Sequence, residues 1–305
     1  MIKKIINEQF NNIKINDNLT IAIGNFDGFH LGHAKIIDKL LEYKNDTSLA
    51  VLFFDPHPNS FFNNEYKVLS TSNDKISFFS KYDLDYLIIT KFNLKFSSMK
   101  ASFFISFLKS INVKRIICGE DFRYGHKGEG TTKDLSDNFI VEIVSYYNED
   151  NKKVSSSMIK DLVNKSSLDL AKKLLNRPYF IGGIIVNGQK NGRTIGYRTA
   201  NLDYQNYCLP QNGVYYTKTL YNNILYDSIT NIGSNPTVSN NQNTIKVETH
   251  ILDFDKEIYD EYIKVYFLQK IREETKFDSL DKLKEQLNKD KKTVLALKKE
   301  YKQWI

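Results

Sequence analysis

GNFDGFHLGH, residues Gly24 to His33, sets two histidines in an HxGH spacing where a strand hands over to a helix. The strand is read from Leu19 to Phe26. The helix opens near Leu31 and is carried by Ile36, Ile37, Leu40 and Leu41 on one face. Backbone N–H groups at a helix start lack intrahelical partners, and Gly24 and Gly28 let an anion come close to them. His30 and His33 add donors suited to charge developing on a phosphoryl group.

Beyond this stretch the pattern repeats. From Leu19 to about Tyr147 strands and helices alternate: LTIAIGNF, the helix after His33, SLAVLFF, a helix near Lys75 to Lys81, DYLIIT, a helix over Lys100 to Ser110, KRIICGE and IVEIVSY. Strands joined by helix-length connections form parallel βαβ units. Near-continuous apolar runs such as Ala50 to Phe54 and Leu87 to Ile89 fit a sheet covered on both faces. Such sheets bind ligands at the carboxyl ends of their strands. GNFDGFHLGH, FFDPHP and CGEDFRYG each follow a predicted strand, so they are expected to gather along one edge. FFDPHP holds Asp55 and His57 between prolines whose fixed φ stiffens the backbone. CGEDFRYG places Asp121 and Arg123 beside Phe122 and Tyr124, a set suited to a planar ring and a phosphate. A plain turn and a surface Asp–Arg pair are the alternative readings.

Around Ser155 to Leu175 the pattern becomes two short helices. From Tyr179 it turns to strand material: YFIGGIIVNG, GVYYTKTLYNNILYDSITNIG, IKVETHILDF and EYIKVYFLQ. Asn222-Asn223 reads as a tight hairpin turn, and strands at this spacing suggest a compact β-barrel or sandwich. Ser279 is placed to cap a helix carrying Leu280, Leu283 and Leu287, followed by a second stretch with Val294, Leu297 and Trp304. The boundary is set near Pro178, giving domains 1–178 and 179–305. In GRTIGYRTANL, Thr199 and Asn201 are two neutral oxygen ligands on one side of a strand, a pair able to share Mg²⁺ with ATP phosphates; a solvent face is the alternative. Glu248 alternates with Val247 and Ile245, so it is exposed if they form core, either as a surface glutamate or as a general base in a barrel mouth.

At 305 residues the chain has room for two domains. Its net charge of +7 comes from lysines scattered among acids rather than from a basic stripe, which argues for a solvated surface and against nucleic acid. Arginines are few, and Arg123, Arg193, Arg198 and Arg272 all fall in motif-like stretches. The two cysteines, Cys118 and Cys208, fit no disulfide or zinc spacing, so reduced cytosol is the expected compartment. Neither a signal peptide nor a membrane-spanning run is read.

Taken in order, GNFDGFHLGH, FFDPHP, CGEDFRYG, VSSSMIK, GRTIGYRTANL, LPQNGVYY, NIGSNPTV, KVETHILDF and IREETKF resemble the bacterial bifunctional riboflavin kinase/FAD synthetase family. The resemblance runs from about Leu19 to Leu287. It implies a Rossmann-like nucleotidyltransferase domain of the HxGH superfamily followed by a six-stranded flavokinase barrel with a C-terminal helix. The barrel would pass the γ-phosphate of ATP to riboflavin, with Glu248 as base and Thr199 and Asn201 on Mg²⁺. Gly182, Gly188 and Gly192 would line the nucleotide phosphates, and Arg272 and Glu274 would lie near the flavin. The first domain would join FMN to AMP, giving FAD and pyrophosphate. There His30 and His33 would steady the transition state, with Gly24, Asn25, Phe26, Asp27, Gly28, Ser155, Ser156 and Ser157 at the nucleotide and His57, Asp121 and Arg123 at the flavin. Two positions depart from the family pattern: Met158 stands where an arginine is usual, and Arg198 where a proline is. The resemblance implies riboflavin, FMN and ATP as the small molecules handled; the chain is expected to work in the cytoplasm as a monomer or weak homo-oligomer, with no membrane or nucleic acid. A kinase with a weakened or regulatory adenylyltransferase domain, or a flavin or nucleotide carrier, are the alternatives.

Overall fold

A computed structural model describes residues 2–8, 13–187, 197–235, 244–299 and 301, with backbone alone at 235 and 244. The chain divides into two compact units, Met1–Met158 and Ile159–Ile305.

The first unit alternates as its sequence suggests: β1 (Lys3–Asn7), β2 (Leu19–Ile23), α1 (Leu31–Leu41), β3 (Ser48–Asp55), α2 (Pro58–Phe62), α3 (Ser72–Phe79), β4 (Tyr86–Lys91), α4 (Leu94–Ser97), α5 (Ala101–Ser110), β5 (Val113–Gly119), α6 (Thr132–Ser136) and β6 (Ile140–Val144). A short hairpin, β7 (Asn148–Glu149) and β8 (Lys152–Lys153), precedes α7 (Ser156–Asn164), which continues into the second unit. The sheet runs β1-β4-β3-β2-β5-β6, and every pairing is parallel. β2 is buried along its whole length, and so is β3 from Leu49 to Phe54, as their unbroken apolar runs require. Ile21, Ile23, Leu52 and Ile88 pack with Phe104, Phe107 and Leu108 of α5, while α1 buries Ile36, Ile37 and Leu40.

After β2 the chain builds outward through β3 and β4, then returns to place β5 on the other side of β2. That reversal makes the carboxyl ends of β2 and β5 the crevice of the sheet. β1 carries no signal in the sequence, because a five-residue edge strand with one buried residue shows no periodicity.

In the second unit α8 (Leu168–Leu175) precedes β9 (Tyr179–Val186), β10 (Ala200–Asp203), β11 (Gly213–Tyr221), β12 (Ile224–Asn235), β13 (Thr244–Ile251) and β14 (Tyr262–Arg272), and α9 (Leu280–Leu297) follows. The six strands close a barrel in the order β10-β13-β12-β11-β14-β9, each pairing antiparallel. Asn222 and Asn223, with φ of 48° and 62°, make the β11–β12 turn with two left-handed residues. Inside, Thr217, Thr219, Ser228, Thr230 and Thr249 are fully buried and link hydroxyl to hydroxyl at 2.8 to 3.0 Å. On the outer face Val214, Tyr216, Ile229 and Leu268 receive Val294 of α9, with Leu297 beside it.

Ser279 caps α9, accepting from the Lys282 N–H. The two helical stretches expected at the end form one helix through Leu297, since nothing between Leu287 and Val294 breaks it; Trp304 lies outside the described residues. No described helix is long and apolar enough to cross a membrane.

Candidate active sites

The loop between β2 and α1 turns through left-handed backbone at Phe26, Gly28 and Phe29, with φ of 50°, 80° and 42°. For an aromatic residue this costs about 1–3 kcal/mol and persists only where the surroundings impose it. Phe26 is fully buried edge-on to Phe79, and Phe29 packs on Phe78, Phe79 and Tyr82. Asp27, 1% exposed, accepts from the N–H groups of Leu69 and Ser70 at 2.8 and 3.0 Å. Gly28 N–H donates to Ser70 Oγ, and Ser156 Oγ donates to the Asp27 carbonyl, both at 2.8 Å. The β2 loop, the 69–70 stretch and the serines of α7 are thereby joined in one wall.

His30 is the N-cap of α1. Its ring stacks on that of His33, with centroids 3.7 Å apart and planes at 20°, and His33 meets Phe26 at 5.3 Å. The glycine between them permits this closeness: a Cβ on Gly32 would stand 3.0 Å from His30 Cε1 and Nδ1.

A cleft of about 800 Å³ opens from this wall. Gly24, Asn25, Phe26, Asp27, His30 and His33 line it, as do His57 after β3, Asp121 and Arg123 after β5, and Ser155, Ser156 and Ser157. The three segments expected along one edge meet there. Gly28 is not among the lining residues; its turn and its bond to Ser70 shape the loop from behind. His57 caps α2, its Nδ1 accepting from Asn59 N–H at 3.2 Å, and stacks on Tyr66 with centroids 5.0 Å apart.

The sequence reading missed two parts of this cleft. One is an aromatic cluster in which Phe54 touches Phe92 and Phe96, and Phe96 touches Phe104; its signal was the phenylalanine-rich KFNLKF. The other is Lys153, whose ammonium lies 2.7 Å from Asp121 Oδ2 and 3.6 Å from the Tyr146 ring centroid. Burial works against its charge, but Asp121 and Tyr146 outweigh it and hold the pKa above the usual lysine value. Lys100, Arg123, Lys127 and Lys153 line the cleft against the carboxylates of Asp27 and Asp121, a balance suited to polyanions.

In the second unit, register sets three polar residues in a row across the outer barrel face: Asn201 on β10 opposite Glu248 on β13, and Glu248 opposite Asn231 on β12. Glu248 is half-buried, and Ile245 is 41% exposed, so only Val247 of its apolar neighbours belongs to the core. The expectation that Glu248 would be exposed is corrected: burial pushes its pKa up, Lys246 opposes this, and Glu274 adds to it. Glu274 reaches this place because residue 233 is glycine; a Cβ there would overlap the Glu274 carboxylate and come 3.1 Å from Asn231 Nδ2.

Thr199, just before β10, and Asn201 share a small pocket with Arg198, Phe254 and Tyr259. Arg198 donates to the Asp255 carbonyl at 3.0 Å, and His250 Nδ1 lies 2.7 Å from the Arg198 carbonyl. Arg272 is turned to helix α9, where Asp290, 3% exposed, takes its guanidinium at 2.8 to 3.1 Å. Gly182 lies buried on β9, where a Cβ would overlap the Tyr262 hydroxyl. Gly188 and Gly192 fall outside the described residues.

Residues 12–158 match a family model described as FAD synthetase, and residues 175–298 one described as riboflavin kinase. The bifunctional riboflavin kinase/FMN adenylyltransferase of Buchnera aphidicola subsp. Schizaphis graminum is 37% identical over 300 residues, 94% of this chain and 96% of its own. The chain belongs to the bifunctional riboflavin kinase/FMN adenylyltransferase family. Another member of the bifunctional family, from Bacillus subtilis, is 36% identical over 90% of this chain and 91% of its own. A crystal structure described as a macrolide-efflux protein from Streptococcus pneumoniae superposes with a TM-score of 0.84 at 28% identity, covering 95% of this chain and 98% of that one. What that likeness contributes is the fold of each unit.

Proposed function

We propose that this chain makes FAD from riboflavin in two steps, phosphorylating riboflavin to FMN in the barrel and adenylylating FMN in the N-terminal cleft. The observation that carries it is the meeting of all three post-strand segments and the Ser155–Ser157 cluster around the stacked His30 and His33 in one cleft with a surplus of cations.

In the barrel, Glu248 accepts the proton of the ribityl 5′-hydroxyl as its oxygen bonds to the γ-phosphorus of ATP and the bond to the ADP oxygen breaks. The raised pKa of Glu248 makes it a stronger base than an exposed glutamate. Asn201 and Asn231 flank it and orient the hydroxyl. Thr199 and Asn201 offer neutral hard oxygens, a donor set that fits Mg²⁺ arriving with nucleotide phosphates. Bound there, the ion would neutralise charge on those phosphates. Gly182, Gly188 and Gly192 are assigned to the nucleotide side, and Glu274 to the flavin. Arg272 acts through the segment that carries Glu274, because its own guanidinium is engaged by Asp290.

In the cleft, an FMN phosphate oxygen attacks the α-phosphorus of a second ATP, and the bond to the bridging oxygen breaks to release pyrophosphate. His30 and His33 donate to the α-phosphate oxygens as charge builds. Asn25 and the serines hold the nucleotide, and Asp27 holds the wall that presents them. His57, Asp121 and Arg123 lie with the aromatic cluster, which suits the isoalloxazine ring.

The functional division is placed at Pro178, with 1–178 serving adenylylation and 179–305 phosphorylation. The cleft of about 800 Å³ suits small-molecule work, and the scattered lysines offer no basic stripe for nucleic acid; we assign the chain to the cytoplasm, as a monomer or weak homo-oligomer. The test is incubation of the purified chain with riboflavin, ATP and Mg²⁺ and chromatographic separation of the flavins over time. FMN followed by FAD is expected. Riboflavin unchanged, and FMN unchanged when supplied directly, would end the proposal.

A further inference from the structure

The segment Tyr197–Thr199 leads into β10 outside the hydrogen-bonded ladder of the barrel, yet it is fastened at both of its first residues. Tyr197 Oη donates to Asn288 Oδ1 of α9 at 2.7 Å, and its ring lies against His250 with centroids 4.9 Å apart. The Arg198 carbonyl takes the His250 Nδ1 hydrogen bond at 2.7 Å; a carbonyl only accepts, so this imidazole carries its proton on Nδ1. The Arg198 guanidinium reaches the other way, to the Asp255 carbonyl at 3.0 Å and its Oδ1 at 3.1 Å. Thr199 follows, exposed and with no ladder of its own, one residue before the strand that carries Asn201.

We infer that Arg198 and His250 are positioning residues for the nucleotide end of the kinase site, holding Tyr197–Thr199 so that Thr199 and Asn201 present their oxygens together before nucleotide binds. This rests on the proposed role of Thr199 and Asn201. A segment fixed in advance binds more tightly because its ordering is not charged against the ligand. The fastening has two kinds of strength. The His250 bond is short and local, whereas the Arg198–Asp255 ion pair is exposed on both sides and weakens with salt. Among the described residues none of the bonds that hold 197–199 uses the Arg198 N–H, so proline at 198 would keep the carbonyl for His250 and replace the side-chain tether with a fixed φ.

The experiment uses the full chain and reads amide hydrogen exchange across 197–203 without metal or nucleotide, MgADP affinity by calorimetry, and both activities. Arg198→Ala is expected to speed exchange there and weaken MgADP about three- to ten-fold, raising KM for MgATP while kcat and FAD formation from supplied FMN hold. Arg198→Pro should recover both exchange and affinity. Raised salt should loosen the native segment and leave the proline variant unmoved. His250→Ala should act like Arg198→Ala, and His250→Asn, which keeps an N–H donor, should partly restore it. Unchanged exchange in the two alanine variants, or faster exchange with unchanged MgADP affinity, would overturn the inference. Thr199→Ala with undiminished MgADP affinity would remove the ligand assignment itself, and the inference with it, whatever the exchange shows.

Discussion

The rings of His30 and His33 stack at 3.7 Å, and Gly32, just before His33, has no room for a Cβ without pressing 3.0 Å from the His30 ring. Gly32→Ala should therefore displace His30 with little disturbance of the sheet. FAD formation from FMN is expected to fall about ten- to hundred-fold, the usual cost of a small misplacement at a reacting centre, while riboflavin phosphorylation continues. Undiminished FAD formation would mean that the stacking has no part in adenylyl transfer.

Glu248→Gln keeps the shape of the Asn201–Glu248–Asn231 row and removes the carboxylate proposed as base. Riboflavin phosphorylation should drop about 10²–10⁴-fold with adenylylation of supplied FMN intact. His33→Ala should do the reverse and let FMN accumulate. Parallel loss of both activities in either variant would refute separate sites.

Met158 carries no charge, so the cleft depends on cations from elsewhere, and Lys153 is the one held in place by Asp121 and Tyr146. Lys153→Met is expected to raise the KM for ATP or FMN in adenylylation about ten-fold, with the difference shrinking in high salt. If both KM values stay put, Lys153 is only a surface partner of Asp121.

Asp227 lies on the outer barrel face under α9. Burial pushes its pKa up, yet hydrogen bonds from Lys298, Tyr216 and Lys218 outweigh this and hold it below the usual value of 3.8. A carboxylate with a depressed folded pKa adds stability that is present above the unfolded value and lost as pH falls through the folded one. Asp227→Asn should cost about 1–3 kcal/mol at pH 7, and the gap to the parent should close as pH falls below about 3.8. Thermal unfolding followed across pH reads both; a gap independent of pH would mean that the charge is immaterial.

The alternating first half was legible because buried parallel strands are nearly unbroken apolar runs, and the post-strand segments could be assigned to one edge from topology alone. The barrel was legible as strands and one hairpin turn. Its closure came only from the family resemblance, since the strand pattern alone left barrel and sandwich open: β10 is four residues long and has no apolar alternation to mark it. Asn231 escaped for a related reason: its importance comes from register with Glu248, a relation between distant segments that no local pattern carries. Lys153 looked like any other lysine, since what distinguishes it is the pair of groups folded around its ammonium.

The five buried hydroxyls of the barrel interior form a chain, Thr219 to Ser228 to Thr217 to Thr230 to Thr249. Each hydroxyl has one proton to give and two lone pairs to receive, so the links tie β11, β12 and β13 together through side chains whichever way the protons run. The barrel interior thus carries a second set of cross-strand ties beside its backbone ladder. It runs from β11 to the strand that carries Glu248. Valine at Thr217 would cut that line and leave Ser228 and Thr230 each short of one partner, so a change with little effect on shape would still be felt as a loss of stability.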